Sequence, residues 1–184
     1  MRPLTTNKPF KHVLAIVVLL IGLGAISSCD NTAVQEEEFT GNETTYTLFQ
    51  GSEFEINGTI TFREKVDGST TAIVELNGTE GDLLHPVHLH IGDISADGDI
   101  AALLNPVIGN SGISETEITI LADESRITYQ QLITLDASIK VHLADFGDGA
   151  NVVLAGGNIG VAHERNPSQG RFTGKIPVCK SDFD

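Results

Sequence analysis

From Tyr46 onward, apolar and polar residues alternate with a period of two along most of the chain. This is the pattern of strands that turn one face to a core and the other to water. Phe54, Ile56, Ile60 and Phe62 alternate with polar neighbours around Asn57-Gly58, and Ala72, Val74 and Leu76 repeat the pattern up to the turn dipeptide Asn77-Gly78. The run Leu84 to Ile91 predicts a further strand. A loop-rich stretch follows through Asp93, Asp97-Gly98-Asp99 and Asn105-Pro106 to Asn110-Ser111-Gly112, within which Ile100 to Leu104 predicts a short turn of helix or a strand. Thr116 to Leu121 predicts another strand, and Thr128 to Leu132 is a helical candidate. Ile139, Val141 and Leu143 alternate with Lys140 and His142, and Val152 to Ala155 and Phe172 to Val178 complete the β content. Sustained helical periodicity and internal repeats are both missing, so the pattern predicts an all-β fold: a single antiparallel Greek-key sandwich or barrel.

The start of the chain has a different character. Arg2, Lys8 and Lys11 precede an apolar and glycine run from Val13 to Ile26, the length of a secretory leader and short for a membrane span. Ile26-Ser27-Ser28-Cys29 resembles the bacterial lipobox, which implies cleavage before Cys29 and a lipid on its sulfur, with an ordinary signal peptide cut near Ser28 as the alternative. Three segments follow: a leader at 1–28, an acidic tether at 29–44 that includes Glu36-Glu37-Glu38, and a β domain at 45–184. The expected location is the cell envelope, exported and membrane-anchored through Cys29 in the outer membrane. An acidic run after the lipidated cysteine resembles a surface-export signal in one bacterial group, and Asp directly after that cysteine resembles an inner-membrane retention signal elsewhere, so the membrane face stays open.

Of 184 residues, 25 are Asp or Glu and 11 are Lys or Arg. All the acidic residues but only eight of the basic ones lie beyond residue 28, which leaves that part at a formal charge of −17. Such a surface draws cations and argues against nucleic acid as a partner. A lipidated Cys29 leaves Cys179 without an intramolecular disulfide partner, and no base stands near Cys179 in sequence to activate it.

Candidate chemistry lies in Leu84-His85-Pro86-Val87-His88-Leu89-His90-Ile91. On a strand, Val87, Leu89 and Ile91 take one face while His88 and His90 share the other. Two imidazoles so placed can grip copper or zinc if further donors arrive from elsewhere. His142 faces away from Ile139, Val141 and Leu143 and is the natural third ligand if the two strands are neighbours. The alternative for His88 and His90 is two surface histidines on a solvated face. The spacing Asp97-Gly98-Asp99 does not meet a calcium loop and predicts an acidic turn. Gly156-Gly157-Asn158 lacks a following helix that would make a phosphate cradle and fits a bulge or tight strand contact. His163, beside Glu164 and Arg165, predicts a loop histidine.

Three pieces of the chain, in order, resemble the copper/zinc superoxide dismutase family. Leu84 to Asp93 is similar to its L-H-G-F-H-V-H…G-D element, Ile139-Lys140-Val141-His142 to its late V-V-H strand, and Leu154 to Ala162 to its closing L-A-C-G-V-I-G-I-A segment. CHRD domains, exported β modules with an A-H-I-H strand and a later V-H strand, share the resemblance. It implies a dismutase-like β fold in which His88, His90 and His142 are copper ligands and His85 braces the ligand strand by bonding backbone. The departures are as informative. No histidine lies between His90 and His142, where the family carries its bridging histidine and zinc ligands. Val153 stands where the family has the arginine that draws superoxide to the metal, and Gly156 where it has a disulfide cysteine. The resulting expectation is a non-catalytic module that binds copper or zinc or serves structurally, with no protein partner specified; the alternative is a divergent copper superoxide dismutase.

Overall fold

The computed structural model describes residues 38–96 and 98–168. The expected leader, Cys29, Cys179, Asp97 and the strand expected over Phe172 to Val178 lie outside them. Eight antiparallel strands form a closed barrel: β1 (Phe39–Gln50), β2 (Asn57–Lys65), β3 (Thr70–Asn77), β4 (Leu84–Ile91), β5 (Ile100–Ile108), β6 (Ile113–Ile118), β7 (Asp136–His142) and β8 (Val153–Ile159). Their spatial order is β1-β2-β3-β6-β5-β4-β7-β8, and β1 closes the ring on β8 through Phe49↔Gly156 and Gln50↔Ala155. β7 lies beside β4 rather than β6, and β3 beside β6 rather than β4, so two Greek keys overlap on β4 to β6. Two short helices, α1 (Tyr129–Leu132) and α2 (Gly160–Arg165), complete the fold.

The inward positions are those the alternation picks out. Leu48, Ile60, Phe62, Val74, Leu89, Ile139 and Val141 are fully buried in one continuous core. Phe54 is an exception at 40% exposed, because it sits in the bend before β2 and Ile56 takes the inward place. The segment expected as tether gives way to strand at Phe39, where β1 already pairs with Lys65 of β2. α1 forms where the helical candidate lies, held by a capping box between Thr128 and Gln131.

The largest departure is β5, a continuous strand through Asn105-Pro106, where the sequence predicts a loop. Pro106 lacks a backbone donor, and the chain accommodates it at a bulge: Val107 pairs with His85 while Leu104 pairs with Val87. Asn105 then joins β6 with its side chain, Nδ2 donating to the Glu115 carbonyl (2.6 Å) while its own N–H donates to Thr116 Oγ1 (2.8 Å). β6 itself starts three residues earlier than predicted, at Ile113.

Gly156 and Gly157 occupy β8 as a tight strand contact. A side chain at Gly156 would meet Ile94 Cδ1 at 2.6 Å and the Ile139 carbonyl at 2.8 Å, and one at Gly157 would overlap the Thr47 carbonyl of β1. Gly157→Ala should therefore destabilise the barrel by about 1–3 kcal/mol or more through overpacking; an unchanged urea midpoint would refute that contact.

Candidate metal centre

β4 and β7 are hydrogen-bonded neighbours in the register Val87↔Val141, His88↔Lys140 and His90↔Ser138. Val87, Leu89, Ile139 and Val141 point into the core, so His88, His90 and His142 emerge together on the outer face of the sheet. Their ring centroids are 4.7 Å apart for His88–His142 and 5.8 Å for His88–His90. One ligand atom from each lies within 4.8 Å of the others. The pairing on which the third ligand depends is thus present, and the triad could hold a metal ion.

The sequence predicts histidines turned away from the core, but the rings are not solvated. His90 and His142 are 2% and 1% exposed and His88 is partly exposed. Two connections fold over the outer face and cover them. The β4–β5 connection brings the Gly98 carbonyl to 2.7 Å from His90 Nδ1, and the β7–β8 connection, with a 3₁₀ turn over Gly147–Asn151, brings the Ala150 carbonyl to 2.9 Å from His142 Nδ1. A carbonyl oxygen only accepts, so Nδ1 carries the hydrogen in both rings and the lone pair resides on Nε2. His88 differs: its Nδ1 is buried with no hydrogen-bond partner. A buried polar atom left unpaired is costly, and an ion shared with the other two rings would satisfy it.

The first connection is anchored from behind. Asn158, 2% exposed on β8, accepts from the Ile94 N–H (2.8 Å) and donates to Asp93 Oδ2 (2.7 Å). Ile94 lies over Gly156, where any larger residue would displace it. Burial works against the Asp93 charge, but bonds from Ser95 and Asn158 outweigh it and hold the carboxyl below its ordinary range. Glycine at position 156 therefore has a local cause: it makes room for the side chain that seats the connection bracing His90.

Burial also sets the protonation state. It is the main cause that lowers His88 and His142 to about 4, with the neighbouring rings and Lys140 adding to the shift; Asp145 opposes it at His88 and the Ala150 carbonyl opposes it at His142. At neutral pH these two imidazoles are neutral, the form that binds metal, so an ion need not displace protons from them. Three nitrogen donors without a carboxylate fit first-row ions that favour imidazole.

The remaining predicted residues divide cleanly. His85, 3% exposed, donates from Nδ1 to the Leu143 carbonyl (3.1 Å), tying β4 to the residue that follows His142. His163 lies edge-on to Tyr46 with centroids 5.1 Å apart and is not part of the triad. Cys29, the expected lipidation site, falls outside the described residues. Sequence reasoning missed Lys140 as a participant: it is fully buried on the triad's face, its Nζ 3.5 Å from the Ala96 carbonyl. Its parity with His142 on β7 is the signal that could have found it. Also missed was a cleft of about 540 Å3 onto which His88 and His142 open, with Leu103, Asp145 and Phe146 among its lining.

Comparison of the chain with models of known protein families gives no match, and a search of curated proteins gives none either.

Proposed function

We propose that the barrel is an exported, lipid-tethered module that holds one copper ion through His88, His90 and His142 and does not turn over superoxide. The observation that carries this reading is the convergence of three ligand atoms within 4.8 Å, with burial lowering the pKa of two of the rings, His88 and His142. Copper is favoured over zinc because it stands higher in the affinity order of divalent ions for nitrogen sites. Bound there, it would supply a centre able to accept or give one electron. The chain's own residues divide the remaining work. Gly98 and Ala150 fix the orientation of two rings, His85 braces the backbone beside the third ligand, and Asn158 with Gly156 seats the covering connection.

Kinship with the dismutase and CHRD families belongs to the same proposal. It is supported by the adjacency of the H-x-H strand and the later histidine strand in an eight-stranded Greek-key barrel. Against superoxide as substrate stands the electrostatics: among the described residues lining the cleft no Lys or Arg occurs and Asp145 is acidic, the reverse of a funnel for an anion. Arg165 is held instead by both carboxylate oxygens of Asp136 (2.7 and 2.9 Å). The alternative, a divergent copper superoxide dismutase, draws its support from the open cleft beside the triad.

The test is metal content and superoxide decay, measured on the chain from residue 30 onward. One equivalent of copper, lost in His88→Ala and without turnover, is expected; turnover would favour the enzyme, and copper retained in the variant would overturn the site. For the anchor, labelled palmitate should enter the wild-type chain in a bacterial host but not Cys29→Ser. Equal labelling of both would defeat the lipid reading.

A further inference from the structure

A continuous apolar face crosses three strands beside the cleft. Leu84 pairs with Ile108 and Ile108 with Ile113, so one outward row runs over β4, β5 and β6. Leu103 extends it, lining a second hollow together with Leu84 and the triad's cleft together with Phe146. These five side chains are 47–83% exposed. At about 200 Å2 for a fully exposed side chain of this size, they present on the order of 600 Å2 of apolar surface. That is the upper end of the roughly 300–600 Å2 patch a monomer leaves uncovered. It also matches the apolar share of the roughly 800 Å2 that each partner gives to a standard interface.

The relief of this face argues for a partner of the same shape. The hollow has a volume of about 220 Å3, with Leu84, Pro86, Leu103 and Pro106 among its walls. An apolar cavity of about 150 Å3 holds a benzene ring, so the hollow has room for one phenyl group. Phe146, the most exposed large apolar side chain among the described residues, stands next to it across Leu103. A two-fold axis needs a knob and a hole on one patch, because the same surface then serves both subunits. We propose that this face is the interface of a symmetric dimer of the chain, in which Phe146 of each copy fills the hollow between Leu84 and Pro106 of the other. Asp145 is the one charged residue among the described residues lining the hollow, on a chain whose formal charge beyond residue 28 is −17, and charge depletion of this kind marks the core of an interface. The same net charge disfavours an anionic membrane as occupant. The dimer needs no metal and does not rest on the copper reading.

The test is sedimentation equilibrium of the metal-free chain from residue 30 onward, which keeps every strand of the barrel, with a reductant present so that Cys179 cannot link two copies. A dimer with a dissociation constant on the order of micromolar is expected, and added salt should tighten it by screening the repulsion between two acidic copies. Phe146→Ser removes two rings per dimer, and Leu84→Glu places a charge in both hollows. Each should weaken association at least about a hundredfold, whereas Val66→Ser, at an exposed apolar position in the turn after β2, should leave it unchanged. All three positions are exposed, so folding is expected to survive. Mixing Phe146→Ser with Leu84→Glu should recover part of the loss, because a mixed dimer keeps one intact ring facing one intact hollow. A wild-type chain still monomeric at about 200 µM, a dimer indifferent to Phe146→Ser, or a mixture no tighter than its components overturns the inference. The copper site, read from metal content, stands or falls separately.

Discussion

His88→Ala and His90→Ala should both abolish metal binding, yet separate sharply in the metal-free protein. The reason is what each ring does when no ion is present. His90 is 2% exposed and donates to the Gly98 carbonyl, so its loss leaves a cavity and an unpaired acceptor and frees the connection that covers the site. A cost of about 2–4 kcal/mol is expected. His88 is partly exposed, and its buried Nδ1 has no hydrogen-bond partner, so truncation removes an unsatisfied atom and the apo protein should shift by less than about 1 kcal/mol. Copper at a hundred times its dissociation constant should stabilise the wild-type chain by about 2.7 kcal/mol and stabilise neither variant. Urea melts with and without copper measure all of these quantities. Equal apo costs for the two substitutions would contradict the division of roles between the rings.

Acidification should destabilise the metal-free protein well before its carboxylates titrate. His88 and His142 fall from 6.5 to about 4 on folding, so between those values the unfolded chain binds more protons than the folded one. Stability from the two rings is complete above about pH 6.5 and is lost as pH falls towards 4. At about 1.4 kcal/mol per unit, protonating His142 costs the folded state up to about 3 kcal/mol; the cost at the more exposed His88 is smaller because solvent screens it, and the two are not additive because each ring's charge also opposes the other's. His90, Lys140 and Asp145 share the surroundings, and they contribute smaller effects than burial. Urea midpoints at about pH 7 and 5 should differ strongly in the wild type and less in His88→Ala, which deletes one titrating ring. Parallel slopes in the two proteins would show that burial does not govern these imidazoles.

Period-two alternation carries the sheet. It locates strands at β2, β3, β4 and β7, where aliphatic side chains turn inward at alternate positions, whereas β8 reads as a strand from a short apolar run buried at every position. It fails at β5, where Asn105-Pro106 has the local character of a turn and only the bulge opposite β4 and the side-chain bonds to β6 make a strand possible. Those bonds are tertiary, so no window of sequence contains them. The triad was legible in part for a related reason: strand parity fixes the face of a histidine, whereas the pairing of β4 with β7 is a tertiary fact that the alternation does not contain. The burial of the site was not legible. It depends on Ile94, Gly98 and Ala150, residues without donor side chains, whose backbone or packing matters only once two connections have folded across the barrel.

In the main chain, β5 and β6 are joined as strands at Ile108↔Ile113 alone, whereas β4 pairs with β7 at five positions. Local fraying will therefore start at that seam, and amide protons along the inner part of β6 should exchange with solvent sooner than those of β7. Because β5 also carries Leu103 beside the triad, breathing there would widen the cleft between any bound ion and bulk water while the β4–β7 ladder keeps the imidazoles in place. Release of metal can then outpace global unfolding, and the rate of exchange would be set by the weakest rung of the cylinder rather than by its hydrophobic interior.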